Sequence, residues 1–347
     1  MVLGDGDGMG GYVNGRKLHY YQDYIVEGLV NREEINDEIW KELLENTKKR
    51  MGPATHVGLN RALLDFSNRI VPYITEQRCC GRVIYSGGDD VMAALPLADL
   101  PKFLLSLRAA WSGKTDPENE FNSNGGYWQW KTENSSKKPL DIPPRPLFTM
   151  GKEATMSLGI VVAHKSVPLP TVLEKIWDAE KECAKKMIGG TISENNKIPE
   201  KDGLCFRVIY GSGNTLEAFM KGHLLEGWWD FIKASQKYPN LDLSPVLYRL
   251  AEELPRHAEL TAGDDLFKKV ADVVLHSRDV ELPELVRENL LNWLENWEKW
   301  AWAATQTAKT REKDPNEKDK AKALGASPED MAMLLKFTAF WTSRTRQ

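Results

Sequence analysis

Cysteine is scarce in this chain, four among 347 residues, at positions 79, 80, 183 and 205. No Cys-x-x-Cys spacing and no regular framework links them, which argues against a structural zinc site and against a secreted disulfide scaffold. No apolar run approaches the roughly 18 residues of a membrane span, so no membrane association is expected. The first residues are acidic and glycine-rich rather than basic and then apolar, so no secretory leader is expected and the cytoplasm is the natural compartment. There is no basic excess either: 46 Lys and Arg face 50 Asp and Glu, a net charge of −4. Any nucleic-acid contact must therefore come from local patches or partner subunits. No His-Asp dipeptide and no His-x-x-x-His occurs, so a histidine-based nuclease or zinc site is unsupported.

What is present is a globular composition, 41% hydrophobic and 28% charged, over a length that suits two domains. The chain is organised around Arg82-Val-Ile-Tyr-Ser-Gly-Gly-Asp-Asp-Val-Met-Ala-Ala-Leu-Pro-Leu97. Val83 to Tyr85 reads as a buried strand, Gly87 and Gly88 as the positive-φ residues of a tight hairpin, and residues 91–97 as the returning strand. Asp89 and Asp90 then stand at the hairpin tip. In a regular strand they would point to opposite faces, so both can bind one metal site only if the turn breaks the alternation.

A second acidic glycine turn opens the chain, Met1-Val-Leu-Gly-Asp-Gly-Asp-Gly-Met-Gly-Gly11. Only residues 1–4 precede Asp5, the expectation for the C-terminal part of a longer protein or a split subunit. Two such turns suggest a divalent metal site that holds phosphates. Carboxylates are the hard oxygen ligands magnesium prefers, and glycines admit the phosphates to the backbone. Asp5 and Asp89 are the first choices as ligands, with Asp7 and Asp90 behind them. A dinucleotide fold fits poorly, because no amphipathic helix or spaced ribose acid follows the glycines. A calcium loop would need a glutamate where residue 16 is Arg.

Helical periodicity appears at 31–44 (Ile35, Ile39, Leu43) and from Thr55, a candidate cap, through Leu59, Leu63, Phe66, Ile70 and Ile74 to residue 77. Asp99 is placed to cap a helix over 100–111. Residues 112–152 read as an inserted loop or flap, whose Tyr127-Trp-Gln-Trp130 is either a strand or an aromatic lip over a ligand. A strand at 154–164, a helix at 171–187 with Val172, Ile176, Ala179 and Cys183 on one face, and a strand at 204–210 follow. His56 and His164 read as packing histidines, and Lys152, Lys165 and Lys185 as phosphate partners by position. This βαββαβ order is that of a ferredoxin-like palm. In it the first strand lies beside the third and parallel to the second, which brings Asp5 and Asp7 towards Asp89 and Asp90.

From residue 216 strand patterns give way to helices, and Leu290, Trp293, Leu294, Trp297 and Trp300 form one packing stripe. The expected organisation is α+β: a palm over 1–218 with the insertion at 112–152, then an all-α domain over 219–347.

The opening Asp5-Gly-Asp-Gly-Met-Gly, His56, the Val83-Ile-Tyr-Ser-Gly-Gly-Asp-Asp-Val-Met-Ala hairpin and Ser157-Leu-Gly-Ile-Val-Val-Ala-His164 together resemble the large subunit of type III CRISPR effector complexes, in its Cmr branch. The hairpin alone also suggests diguanylate cyclases of the GGDEF kind. The resemblance implies a second palm domain in which ATP is joined 3′ to 5′ into cyclic oligoadenylate when the complex binds target RNA. It implies Mg²⁺ or Mn²⁺ held by Asp5, Asp89 and Asp90, with Asp89 and Asp90 catalytic, and the residue chemistry adds Asp7 as a further ligand. The resemblance implies nucleotide contacts at Gly87, Gly88 and the turn that holds Ser212 and Gly213; the residues themselves add Gly6, Gly8 and Gly10 as glycines that admit phosphate, and Ser86 and Ser212 as hydroxyls that either touch phosphate or ribose or stabilise their turns. The implied partners are other effector subunits, guide RNA, target RNA and a first palm domain, since the family's His-Asp nuclease domain, first palm and cysteine zinc motif are not among these residues. The other readings are a non-catalytic scaffold that docks small helical subunits, and a standalone cyclase that pairs palm to palm.

Overall fold

The computed structural model describes residues 1–24, 38–132, 139–194, 196–257, 266–276, 282–314 and 322–345. The N-terminal part alternates β1 (Val2–Gly6), the short α1 (Met9–Val13), α2 (Glu38–Asn46), α3 (Pro53–Asp65), β2 (Arg82–Gly87), β3 (Asp90–Ala94) and α4 (Leu100–Ser112). An insertion with β4 (Phe121–Ser123), β5 (Tyr127–Trp130) and β6 (Leu147–Phe148) precedes β7 (Met156–Ala163) and α5 (Leu169–Asp178). The hairpin β8 (Gly190–Ser193) and β9 (Asn196–Ile198) leads into β10 (Gly203–Ile209) and β11 (Thr215–Lys221). The remainder is helical: α6 (Leu225–Gln236), α7 (Ser244–His257), α8 (Leu266–His276), α9 (Glu284–Glu312) and α10 (Pro328–Thr345).

The main sheet runs β11-β10-β7-β1-β3-β2. β1 is antiparallel to both β3 and β7, and β2 is antiparallel to β3. β1 is therefore parallel to β2 with β3 between them, the palm topology expected from the element order. A strand flanked on both sides and covered on both faces needs apolar residues throughout. Val2 joins the main core with Val91, Ala93, Leu158 and Ile160, while Leu3 packs on the other face with Val161, Val172, Ile176 and Ile209.

Several local expectations change. β11 is a strand where helix was expected, because the turn at Gly213 (φ 88°) returns the chain against β10. The expected 218/219 boundary falls inside it. Its Thr-Leu-Glu-Ala-Phe-Met-Lys sequence carries little β-branching, and pairing rather than propensity sets its conformation. Thr55 caps nothing: the helix starts from Gly52 with Pro53 in its first turn. It continues past α3 through π-helical turns at Phe66–Ile70 and Tyr73–Arg78. The Asp99 carboxylate accepts the Cys80 amide at 2.9 Å instead of capping α4. Ile39 is 78% exposed, so the 31–44 stripe does not face the core there; its first half lies outside the described residues. His56 and His164 are exposed rather than packed.

The insertion is a small three-stranded sheet, rather than an aromatic lip, and its buried side chains join the main core. Trp128 and Trp130 are buried, and Phe121 stacks on Trp128 with centroids 5.0 Å apart. Arg78 ties it to the palm through Asp116 (2.8 Å) and Glu120 (2.7 Å).

The helices after β11 pack directly on the sheet. Phe206 of β10 stacks on Phe337 of α10 at 4.4 Å. The tryptophan stripe of α9 is buried as expected, with the Trp297 and Trp300 indoles donating to the carbonyls of Gly325 and Ile188 at 3.2 Å. No helix among the described residues is long and apolar enough to cross a membrane.

Candidate metal and nucleotide site

The sheet register decides which carboxylates meet. Gly4 pairs with Val91 across β1 and β3, and Gly87 pairs with Asp90 across β2 and β3. Asp5 therefore emerges at the same edge as Asp90. The hairpin turn consists of Gly88 and Asp89, and of the two glycines only Gly88 has a positive φ, 63°. The expectation that Gly87 shares that conformation is corrected: Gly87 is the last residue of β2, and Tyr85 Oη lies 2.5 Å from where its Cβ would be. Because Asp89 lies in the turn and Asp90 begins β3, the strand alternation is broken and both carboxylates face Asp5.

Electrostatics report the crowding. Asp90 is pushed up to about 6, first by burial, then by the charges of Asp5 and Asp89 and a hydrogen bond with Asp5. Asp89 is raised by burial and, less, by Asp5. Three half-buried carboxylates, two of them raised by burial and by the charge of Asp5, form a set of hard oxygen donors whose chemistry fits a divalent cation such as Mg²⁺. Lys185 supplies one charge, its Nζ 2.7 Å from Asp5 and 2.6 Å from Glu180. Burial works against its ammonium, but the bonds to Asp5 and Glu180 outweigh that and hold it above its ordinary value. Glu180 is raised by its own burial, against Lys185.

Glu180 was not legible in the sequence. It reaches Lys185 because the chain after α5 passes through a π turn, Ala179–Cys183, then a short 3-10 turn, Ala184–Lys186. Nothing in the residue pattern announces those departures from 3.6 residues per turn.

The structure does not bring Asp7 into the group. It is buried and accepts hydrogen bonds from Thr155 Oγ1 (2.8 Å), Ser157 Oγ (2.8 Å) and the Asp202 amide (3.0 Å). As the residue two after Asp5 it turns into the protein beyond the end of β1. A Cβ on Gly6 would meet Trp111 and Asp89. Gly8 (φ 71°) lies against Lys17, and Gly10 faces open space. The Ser86 hydroxyl is engaged with the Ser67 carbonyl at 2.9 Å. Ser212 and Gly213 sit at the opposite end of the sheet: β10 runs from Gly203, beside the acidic edge, to Ile209, paired with Ala163.

A family model for the second palm domain of Cas10/Cmr2 matches residues 1–191. The chain is similar to the CRISPR system Cmr subunit Cmr2 of Pyrococcus furiosus, 26% identical over 214 residues that make up 62% of this chain and 19% of that protein. Among solved structures it is similar to a chain of the type III-B Cmr-beta complex in its apo state. That match has a TM-score of 0.51 and 16% identity, and covers 76% of this chain and 28% of the other.

Proposed function

Because this chain belongs to the Cas10/Cmr2 second palm domain family, we propose that Asp5, Asp89 and Asp90 hold Mg²⁺ or Mn²⁺ and serve nucleotidyl transfer on ATP, giving cyclic oligoadenylate. The observation that carries this reading is the convergence of the three carboxylates at one sheet edge, where burial and the charge of Asp5 raise both Asp89 and Asp90.

A bound divalent ion would activate the attacking 3′-hydroxyl and neutralise the departing pyrophosphate. The chain's own residues set the stage for that. The glycine turn at Gly88 lets a phosphate approach the backbone beside Asp89 with no side chain in the way. Trp111 backs Gly6 and keeps the base of the hairpin dry. Lys185 holds Asp5 in place and offers its ammonium towards triphosphate oxygens.

The partners in this reading are other type III effector subunits, guide RNA, target RNA and a first palm domain that completes the ATP pocket. The experiment is a reconstituted complex with target RNA and radiolabelled ATP. The Asp89→Ala/Asp90→Ala double variant is expected to make no product; product at the unsubstituted level would sink the proposal.

A second reading, a scaffold without catalysis, has one observation in its favour: the Lys185 ammonium already bridges Asp5 and Glu180. On that reading Lys185→Ala leaves effector assembly unchanged and no product is ever seen from the parent complex.

A further inference from the structure

On the sheet face beneath α5 lies a second group of reactive side chains. Cys205 and Arg207 are two residues apart on β10 and share a face; Glu217 of β11 is the cross-strand partner of Arg207. Cys183 comes down from the π turn after α5. The two sulfurs and a Glu217 carboxylate oxygen all lie within 4.8 Å of one another. Arg207 joins them, Nη2 donating to Cys183 Sγ at 3.5 Å and Nε to Glu217 Oε2 at 2.5 Å. Both thiols are buried, whereas the Glu217 side chain keeps 36% of its exposure and opens the group to solvent.

An inert structural cysteine sits among apolar groups. Here the hydrogen bond from Cys205 holds the Cys183 thiol below its ordinary value, with burial opposing and Arg207 assisting. Two thiols and a carboxylate thus stand together, with a guanidinium on their rim.

We propose that Cys183, Cys205 and Glu217 form a binding site for a thiophilic divalent cation of the zinc class, with Arg207 as its charge-balancing neighbour. Two thiolates and a carboxylate carry three negative charges; a divalent ion and a guanidinium carry three positive ones, so the filled group is neutral. Tetrahedral zinc, with Zn–S of about 2.3 Å and Zn–O of about 2.1 Å, places its ligand atoms roughly 3.5–4 Å apart, within reach of this cluster. Sulfur donors select zinc or cadmium over magnesium and calcium. The fourth position faces solvent beside Glu217 and takes water.

The ion pins the π turn to β10 and β11. Cys183 lies two residues before Lys185, so occupancy also fixes the segment that delivers an ammonium to Asp5. The site escaped the sequence because its ligands come from three separate elements, with no short spacing to betray them.

The test uses the reduced, metal-free 347-residue chain. Cd²⁺ is titrated while the thiolate-to-metal charge-transfer absorption is followed, and Zn²⁺ affinity is measured against a chromophoric chelator. The expected result is one saturating equivalent, displaced by Zn²⁺ and untouched by excess Mg²⁺, with proton release on binding. Cys183→Ser should abolish the absorption. Arg207→Gln, at a partly exposed position that leaves both thiols in place, should weaken binding about 10–100-fold, the range found for outer-shell partners, and Glu217→Gln, which removes a ligand, by at least as much. Absence of the absorption in the folded parent chain would overturn the proposal. So would its survival in Cys183→Ser, unweakened binding in both Glu217→Gln and Arg207→Gln, or a Cys183–Cys205 disulfide forming in the presence of Zn²⁺.

Discussion

A methyl group placed on Gly6 would stand 2.9 Å from the Cβ of Asp89 and 2.4 Å from Cζ2 of Trp111. Trp111 has little freedom to yield. Its indole donates to the Thr155 carbonyl at 2.9 Å, and its ring meets Phe66 edge-on at 4.8 Å. The hairpin tip is the softer side. Gly6→Ala is therefore expected to fold, at a cost of about 1–3 kcal/mol for overpacking, and to displace Asp89. Calorimetric titration with Mg²⁺ and ATP in the assembled complex should show weakened binding, and product formation should fall with it.

Asp7 and Asp89 should part company in a stability assay. Asp7→Ala strands two hydroxyls and the Asp202 amide in the interior, at about 1–3 kcal/mol for each donor left unmade. Urea midpoints should fall clearly for Asp7→Ala and hardly at all for Asp89→Ala. The reverse order would reassign Asp7 to the metal.

Lys221 is fully buried, and burial lowers its ammonium from 10.5 to about 8. Between those values the folded chain has shed a proton that the unfolded chain keeps. The contribution of this group to stability therefore rises with pH across that window, and the full penalty is present below about 8. Lys221→Met should remove this increment, read as a shallower change in unfolding free energy between pH 8 and pH 10 than in the parent.

Arg78 and Asp116 are both buried, and Asp116 also accepts the amides of Glu118, Glu120 and Phe121. Asp116→Ala leaves Arg78 short of a partner in the interior, a loss of about 3–5 kcal/mol. Limited proteolysis should then cut within 112–152 well before the rest of the chain is attacked.

The parts legible from the residues were those set by period and turn chemistry. The strands around Val83, Val91 and Leu158, the helix faces at Ile176 and Trp297, and the meeting of Asp5 with the hairpin all follow from apolar spacing and palm order, but the strand at Val83 is an edge strand whose Ile84 and Tyr85 are exposed rather than buried. What escaped depends on contacts distant in sequence. Asp7 stood as a second-choice ligand in the same turn as Asp5, and its hydrogen bonds from Thr155, Ser157 and the Asp202 amide set it apart. Glu180 entered through a π turn. Thr215 to Lys221 became a strand because β10 offered an edge, and Ser212 went with it to the far end of the sheet.

The central place of β1 governs the order in which the chain can assemble. Residues 2–6 precede in the chain, and so in synthesis, both of their neighbours in the sheet, residues 91–93 and 156–160. At about 5–20 residues per second, the ribosome needs on the order of 10 s to deliver the second of these. Until then the apolar Val2 and Leu3 can have a strand on one side at most, and the Asp5–Asp90 edge lacks β7 beside it. The acidic edge thus rests on strands far apart in the chain, β1 against β3 and β7, so its formation reports that the centre of the sheet has closed in register.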